Sequence, residues 1–146
     1  MVIAGSIKGI FSANTHSKGL PRPAVDSLNI IKGLGIEHDK FAGQDLDKSV
    51  MIVGQRAYDI AKNHGIDLEP GSLGENILLD FDPHDYIDGT IFKIGDAHLQ
   101  ITEACSMCNH LSVFDKRLPK LILNHRGQYC KVLQSGKITN KNIIEL

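Results

Sequence analysis

The sequence predicts a mainly β fold, either a barrel or a bent sheet, with a few short helices. Short runs of apolar and β-branched residues recur along the chain, which is typical of strands. Turn signals rich in glycine, asparagine, aspartate and serine separate these runs. About seven predicted strands and two helices favour a barrel-like architecture over alternating βαβ units.

The first half of the chain contains three predicted strands. Val2–Phe11 is the first, and Val25–Ile31, whose β-branched residues precede Gly33, is the second. Ser49–Val53 is the third, because it is an apolar run short enough to be a buried strand.

One clear helix is predicted over Gln55–His64. Ala57, Ile60 and Ala61 share a face at helical spacing, and His64 with the glycine after it supplies residue types that end helices. We expect this helix to pack on the flank of the sheet.

The middle of the chain predicts another strand, Glu75–Asp80, and then a hairpin. Thr90–Ile94 and Ala97–Thr102 flank Gly95-Asp96, a dipeptide that fits a two-residue type II′ turn. This hairpin carries the chain to its cysteine-containing segment.

The last third predicts a short helix and a second hairpin. Leu118–Asn124 is the helix, with Pro119 tolerable only in its first turn. Gln128–Gln134 and Lys137–Ile138 are expected to pair as a closing hairpin around Ser135-Gly136.

Bulk composition narrows the class of protein. The 146 residues are predicted to form one domain, residues 1–146, which needs no metal or disulfide to fold. A formal net charge of −1 argues against a nucleic-acid-binding surface. Because Lys8 cuts the N-terminal apolar run short of a signal peptide or membrane span, we expect a cytoplasmic protein without a membrane partner.

Cys108 is the candidate reactive residue. It follows a predicted strand end and precedes His110, and Lys40, Lys48 and Arg126 are basic residues that the fold could bring near it. A thiolate attacks and coordinates better than a thiol, so such surroundings suit a nucleophile or a metal ligand. The alternative is a small buried hydrophobe.

The three cysteines are expected to be free, because an odd count without an export signal does not indicate a disulfide framework. For Cys130, inside a predicted strand, we expect simple burial. Cys105 and Cys108 form a C-x-x-C, which leaves open half of a zinc site or a redox pair, although zinc would need two further ligands.

Two polar, glycine-containing loops are candidate ligand-binding segments. In Gly35–Gly43, His38 and Asp39 stand beside glycines; the alternative is a solvated loop. In Pro70–Asn76, backbone N–H groups could form an anion site; the alternative is an ordinary turn that leads into a strand.

Taken in order, these segments resemble the MOSC domain, the C-terminal module of molybdenum cofactor sulfurases, including its small stand-alone bacterial type. Gly35–Lys40 is similar to the family's Gly-Ile-x-Gly-Asp-x-His loop, and Leu68–Ile77 to its Pro-Gly-x-x-x-Glu-Asn turn. Ile94–Asp96, Ile101–Glu103 with the later Cys108, and Arg126–Leu133 are similar to its hairpin, cysteine and closing-strand elements.

The resemblance implies a PK β-barrel type of fold that binds molybdenum cofactor (molybdopterin). It implies that Cys108 is the catalytic thiol, which either carries sulfur or ligates the molybdenum ion. The cofactor-binding residues that we expect are His38, Asp39, Gly74, Glu75, Asn76, Thr102 and Arg126.

The chain departs from the family pattern in three places. His38 stands where the family usually has glycine, and Lys40-Phe41 replaces the usual residue and histidine. Asp47–Ser49 replaces a His-Arg-Gln run and so removes an arginine suited to a phosphate pocket.

Three functions remain open, an enzyme and two non-catalytic alternatives. The first is a molybdenum-dependent reductase of N-hydroxylated compounds, which would need an electron-transfer protein. The second is a non-catalytic carrier of sulfur or cofactor for a recipient molybdoenzyme. The family is linked to pyridoxal phosphate, but these residues form no pyridoxal-phosphate desulfurase domain, so we expect another protein to donate the sulfur. The third is a zinc-stapled interaction module that uses Cys105 and Cys108.

Overall fold

The structure is a computed structural model that describes residues 2–17, 19–106 and 108–146. In that part of the chain, ten strands and two α-helices form. The strands are β1 (Ile3–Ile10), β2 (Ser27–Ile31), β3 (Gly35–Ile36), β4 (Val50–Gly54), β5 (Ile77–Leu79), β6 (Ile91–Ile94), β7 (Ala97–Ala104), β8 (Gln128–Gln134), β9 (Gly136–Thr139) and β10 (Ile143–Glu145). The helices are α1 (Gln55–Asn63) and α2 (Leu118–Leu121), with 3-10 turns at Leu46–Lys48, Pro83–Asp85, Asn109–Val113 and Leu123–His125.

Seven strands close into a barrel, which confirms the predicted fold class. Their order around it is β1-β10-β6-β7-β8-β4-β5, and β5 pairs back to β1 through Ile7 and Leu79. All of these pairs are antiparallel except β4 with β5. The helix α1 lies in the connection between those two parallel strands, as a parallel crossover requires.

A small second sheet, in the order β3-β2-β9, stands beside the barrel. Here the predicted closing hairpin is wrong, because β9 pairs with β2 and not with β8. Two features accompany the departure of the chain from the barrel at this point, a hydrogen bond and a close backbone approach. The Lys32 amide donates to Ser135 Oγ at 2.9 Å, and a Cβ at Gly136 would overlap the backbone of Ala97.

The other predicted elements are present with shifted ends. The β6–β7 hairpin turns at Gly95, whose φ of 59° suits the first position of a type II′ turn. Glu75 and Asn76 precede β5 instead of belonging to it. The helix α1 ends one residue earlier than expected, at Asn63, and α2 is only four residues long. The strands β3 and β10 are too short to leave a pattern in the sequence.

Two apolar clusters hold the fold together. One fills the barrel, and its large, fully buried members include Phe92, Ile52, Leu99 and Ile101. The other lies outside the barrel under α1 and α2, and it extends to Cys105 and Cys108. The cysteine segment therefore lies at the border between the barrel and its helical flank. Across the described ranges, no helix has the length and apolar character that crossing a membrane requires.

The barrel interior can be tested with two isoleucines of one strand. Ile94 is 1% exposed and Ile91 is 38% exposed, both on β6. We expect Ile94→Ala to lower the free energy of unfolding by about 2–5 kcal/mol, because it leaves a cavity in a packed core. Ile91→Ala is the matched control, with an expected loss of about 1 kcal/mol or less. Urea denaturation measures both, and equal losses would contradict this account of the barrel core.

Candidate functional site

Two adjoining cavities lie at this border, and Tyr129 of β8 lines both of them. The cation cavity has a volume of about 260 Å³ and is lined by Arg22, Asp39, Lys48, Asn76 and Tyr129, among others. The thiol cavity has a volume of about 500 Å³ and is lined by Cys105, Ser106, Cys108, Asn109, His110, Arg126 and Tyr129. Tyr129 is their shared wall, so the two cavities form one composite site in which the thiols lie on one side only and cations lie on both.

The thiol cavity begins where β7 ends. Cys105 is 7% exposed, and its Sγ donates to the Tyr129 hydroxyl at 3.5 Å. Cys108 is half-buried, with its Sγ 3.3 Å from His110 Nδ1. All three cysteines are free, as expected, and Cys130 is fully buried in the barrel, where burial raises its pKa. Cys108 is thus the most accessible thiol, and an imidazole lies within reach of its proton.

Tyr129 carries its hydroxyl between the thiols and the cations. Burial, with the hydrogen bond to Cys105, raises the pKa of Tyr129 to about 12, against a smaller lowering by Arg126. The Lys48 ammonium stands 5.2 Å from the centre of the Tyr129 ring, a cation–π distance. Tyr129 therefore stays neutral at pH 7 and keeps a polar hydroxyl inside the site.

Arg126 is the buried cation of the thiol cavity. It is 5% exposed, and its Nε has no hydrogen-bond partner among the described residues. Within the described ranges, its Nη1 reaches only the Met51 sulfur, at 4.0 Å. Because a buried donor without a partner is costly, this guanidinium is suited to an acceptor brought by a ligand.

Arg22 is the matching cation on the other side. Its Nη1 lies 3.6 Å from Asp39 Oδ1, and its side chain is 14% exposed. Burial lowers the pKa of Arg22, the charges of Asp39 and Glu75 raise it, and the charge of Arg126 lowers it. The two guanidinium groups are therefore close enough to repel each other, which an anion between them would relieve.

Asp39 organises the loop that carries it. Its Oδ1 accepts from Ser12 Oγ at 2.7 Å and from the Ala13 amide at 3.3 Å, and its Oδ2 accepts from the Phe41 amide at 3.0 Å. These bonds also place its carboxylate beside Arg22. Asp39 thus lines the cation cavity as an anchor for the arginine.

His38, by contrast, points away from both cavities. Its side chain is 88% exposed and approaches only Glu37, at 3.4 Å. Its φ of 68° is a left-handed conformation, which explains why glycine suits this position in the motif that the loop resembles.

The side chains of the Gly74–Asn76 turn bond groups inside the protein, so they are largely unavailable to a ligand. Glu75 is 0% exposed, and its Oε2 accepts from the Tyr58 hydroxyl at 2.6 Å. Asn76 lines the cation cavity, but its amide group already bonds the Met51 amide at 2.9 Å and the Phe11 carbonyl at 3.1 Å. Gly74 and Glu75 line neither cavity.

Thr102 is likewise engaged away from the thiols. Its hydroxyl lies 2.6 Å from the Asp47 carbonyl and 3.2 Å from the Tyr129 carbonyl. These contacts hold the Leu46–Lys48 turn against β7 and β8. Thr102 therefore supports the placement of Lys48 and lines neither cavity.

The structure thus brings together four of the predicted site residues, Cys108 and Arg126 in one cavity and Asp39 and Asn76 in the other. The binding roles of Cys108 and of the seven expected cofactor-binding residues stay predictions. Sequence reasoning missed Arg22 and Tyr129. The available signals were local. Arg22 stands between two prolines, and Tyr129 lies in the predicted strand that carries the last of the family's motifs. Among the described residues, no group of three or more histidine, cysteine, aspartate or glutamate side chains is arranged to hold a metal ion.

The family model described as "MOSC domain" matches residues 38–145, which include Cys108, Arg126 and Tyr129. No curated protein matches the chain significantly.

Solved structures share the fold. YiiM from Geobacillus stearothermophilus superposes with a TM-score of 0.77 at 20% identity, over 95% of this chain and 73% of that one. YuaD from Bacillus subtilis gives 0.76 at 18% identity, over 96% and 93%. YiiM from Escherichia coli gives 0.71 at 21% identity, over 94% and 68%. At such identities the likeness concerns the fold alone.

The buried carboxyl of Glu75 generates a pH prediction. Burial raises the pKa of Glu75 above 4.5, despite opposing hydrogen bonds from Tyr58 and Gly71. Because the folded pKa is the higher one, the stability that this group contributes is present below pH 4.5 and is lost as the pH rises through the folded value. Glu75→Gln should therefore reduce the loss of unfolding free energy between acid and neutral pH.

The measurement is urea denaturation of wild type and Glu75→Gln at a series of pH values. Glu69→Gln is the matched control, because Glu69 is exposed on the same loop. If the wild-type and Glu75→Gln curves ran parallel from pH 4.5 to 8, Glu75 would not titrate as described.

Proposed function

The chain belongs to the MOSC domain family, and from that premise we propose that it binds molybdenum cofactor, or a transferable sulfur atom, through Cys108. The observation that carries the proposal is a single cavity that holds an accessible thiol, a neutral phenol and a buried guanidinium whose Nε has no partner in the part of the chain that the structure describes. A packed core would not leave these groups together in open space.

The residues present fit the cofactor. A cysteine thiolate is the soft ligand that a molybdenum centre accepts, and Cys108 is half-buried beside His110. The molybdopterin tail ends in a phosphate, which suits arginine donors. Arg22, Lys48 and Arg126 supply three cations around Tyr129, in place of the arginine that the Asp47–Ser49 segment lacks.

Each residue then has a defined task. His110 Nδ1, 3.3 Å from Cys108 Sγ, takes up the thiol proton when it carries none itself. Arg126 binds an acceptor atom of the ligand, and Arg22 and Lys48 attract its anionic end. The half-buried Tyr129 hydroxyl offers a donor where the two cavities meet.

As an enzyme, the protein would reduce N-hydroxylated compounds. The bound cofactor would supply two-electron oxygen-atom chemistry, and the net reaction consumes two electrons and two protons to convert an N–OH group into N–H and water. The electrons come from a separate electron-transfer protein.

A second candidate function is sulfur carriage, which the Cys108–His110 contact favours. The Cys108 thiolate attacks the outer sulfur of a donor protein's persulfide, the S–S bond of the donor breaks, and the donor thiolate leaves. Cys108 is then a persulfide, and no net oxidation occurs. Transfer to a recipient molybdoenzyme repeats the step in reverse roles.

The first test is metal binding. Anaerobic reconstitution with molybdenum cofactor should give close to one molybdenum per wild-type chain, measured by elemental analysis after gel filtration. Cys108→Ala should lose it because the ligand is removed, whereas Cys105→Ala is the matched control and should retain most of it. Negligible molybdenum in all three proteins would reject this site for the cofactor.

The second test separates carriage from cofactor binding. After exposure to a small persulfide donor, intact mass should increase by one sulfur atom in wild type and in Cys105→Ala, and peptide mapping should place it on Cys108. His110→Ala should slow the transfer several-fold at neutral pH, because no neighbouring base removes the thiol proton. Labelling that persists in Cys108→Ala would contradict the assignment.

A further inference from the structure

Two histidines lie behind the thiol cavity and hold the segment that carries Arg126. His84 belongs to the Pro83–Asp85 turn and His125 to the Leu123–His125 turn. Their rings are 6.2 Å apart in an edge-to-face arrangement. His125 Nδ1 bonds the carboxylate of Asp82, whose other oxygen accepts from the His84 amide at 2.9 Å.

The decisive contact is made by the ring of His84. Its Nε2 accepts the Gly127 amide hydrogen at 2.9 Å. The Gly127 carbonyl in turn accepts from the Cys105 amide at 2.8 Å. One residue therefore joins the His84 ring to Cys105, and it directly follows Arg126 in the chain.

Gly127 has little freedom to take another position without moving its neighbours. Its φ is 135°, and a Cβ there would lie 2.8 Å from Met51 Cε and 3.0 Å from the Ile52 carbonyl oxygen. The segment is thus pressed against β4 on one side and tied to His84 and Cys105 by hydrogen bonds.

We propose that His84 is a positioning residue whose neutral ring holds Gly127, and through it Arg126 and Cys105, so that protonation of His84 loosens the thiol cavity. The effect of this loosening on ligand binding rests on the function proposed above. The positioning itself does not depend on which ligand the site takes.

The physical reason is the donor count of imidazole. Neutral histidine can accept at Nε2, but protonated histidine carries hydrogens on both nitrogens and can only donate. The Gly127 amide would then face a second donor in a partly buried place, and the bond cannot form.

The charges around His84 determine the pH at which this happens. Burial lowers the pKa of His84 below 6.5, His125 lowers it further, and Asp82 and Asp85 oppose this. Other charged side chains lie nearby. Arg126 is on the segment that faces His84, and the groove lined by Asp82, Asp85 and His125 is also lined by Arg56, Asp59 and Asp80. The bond to Gly127 is complete above pH 6.5 and is lost as the pH falls through the lower folded value.

The test follows the Gly127 amide by ¹H–¹⁵N NMR between pH 8 and pH 5 without any cofactor. In wild type, its chemical shift should titrate with the same midpoint as the His84 ring nitrogens. In His84→Gln, whose amide oxygen can accept near the same place without titrating, the Gly127 shift should lose that transition. His64→Gln, which alters an exposed histidine at the end of α1, is the control and should keep it.

A Gly127 amide that ignores the His84 titration would overturn the proposal, and so would an unchanged transition in His84→Gln. If His84→Gln failed to fold, the shared midpoint in wild type would still decide the question.

A second readout concerns the ligand. Wild-type protein loaded with molybdenum cofactor should lose molybdenum as the pH falls across the His84 transition, whereas His84→Gln should retain it. Equal losses in both would contradict control of the site by His84. Failure to load either protein at pH 8 would count against the proposed function alone, because the NMR titration needs no cofactor.

Discussion

The pairing of β7 with β8 determines where the functional side chains lie. Glu103 is opposite Tyr129 and Ala104 is opposite Gln128, after an irregularity between Ile101 and Glu103. Since side chains alternate along a strand, this register places Tyr129 outside the barrel beside the cysteine segment and Cys130 inside it. If the register of β7 with β8 shifted by one residue, Tyr129 would point into the barrel and Cys130 would point out of it. The site would then lose its phenol, which is also the wall shared by the two cavities.

Buried polar groups supply a second layer of organisation. The Tyr58 hydroxyl, on α1, bonds Glu75 and also accepts from the Gly71 and Leu73 amides at 3.1 and 3.3 Å. Asn76 joins Met51 of β4 to Phe11, the residue that follows β1. These bonds hold the Gly74–Asn76 turn in place, and with it Asn76 in the wall of the cation cavity.

Much of the barrel could be predicted from the sequence, because its strands are apolar runs between turn residues. The partner of β9 could not, since it depends on Gly136 meeting Ala97 and Ser135 meeting Lys32, contacts between distant parts of the chain. The site shows the same division. Cys108 was found from its local surroundings and Arg126 from the family element that it begins, whereas Glu75 looks like a ligand group in sequence and is instead an interior acceptor for Tyr58. Nothing local in the Gly74–Asn76 turn distinguishes these two uses.

Barrel closure joins the two ends of the described chain, since Ile3 of β1 pairs with Glu145 of β10. Such a pairing has very high sequence separation, and topologies of this kind fold slowly. At roughly 5–20 residues per second of synthesis, the half of β1 that faces β10 waits about 7–30 s for its partner. During that interval a newly made chain presents an open sheet edge, so chaperone occupancy of the nascent chain should matter more for this fold than for a helical protein of the same size.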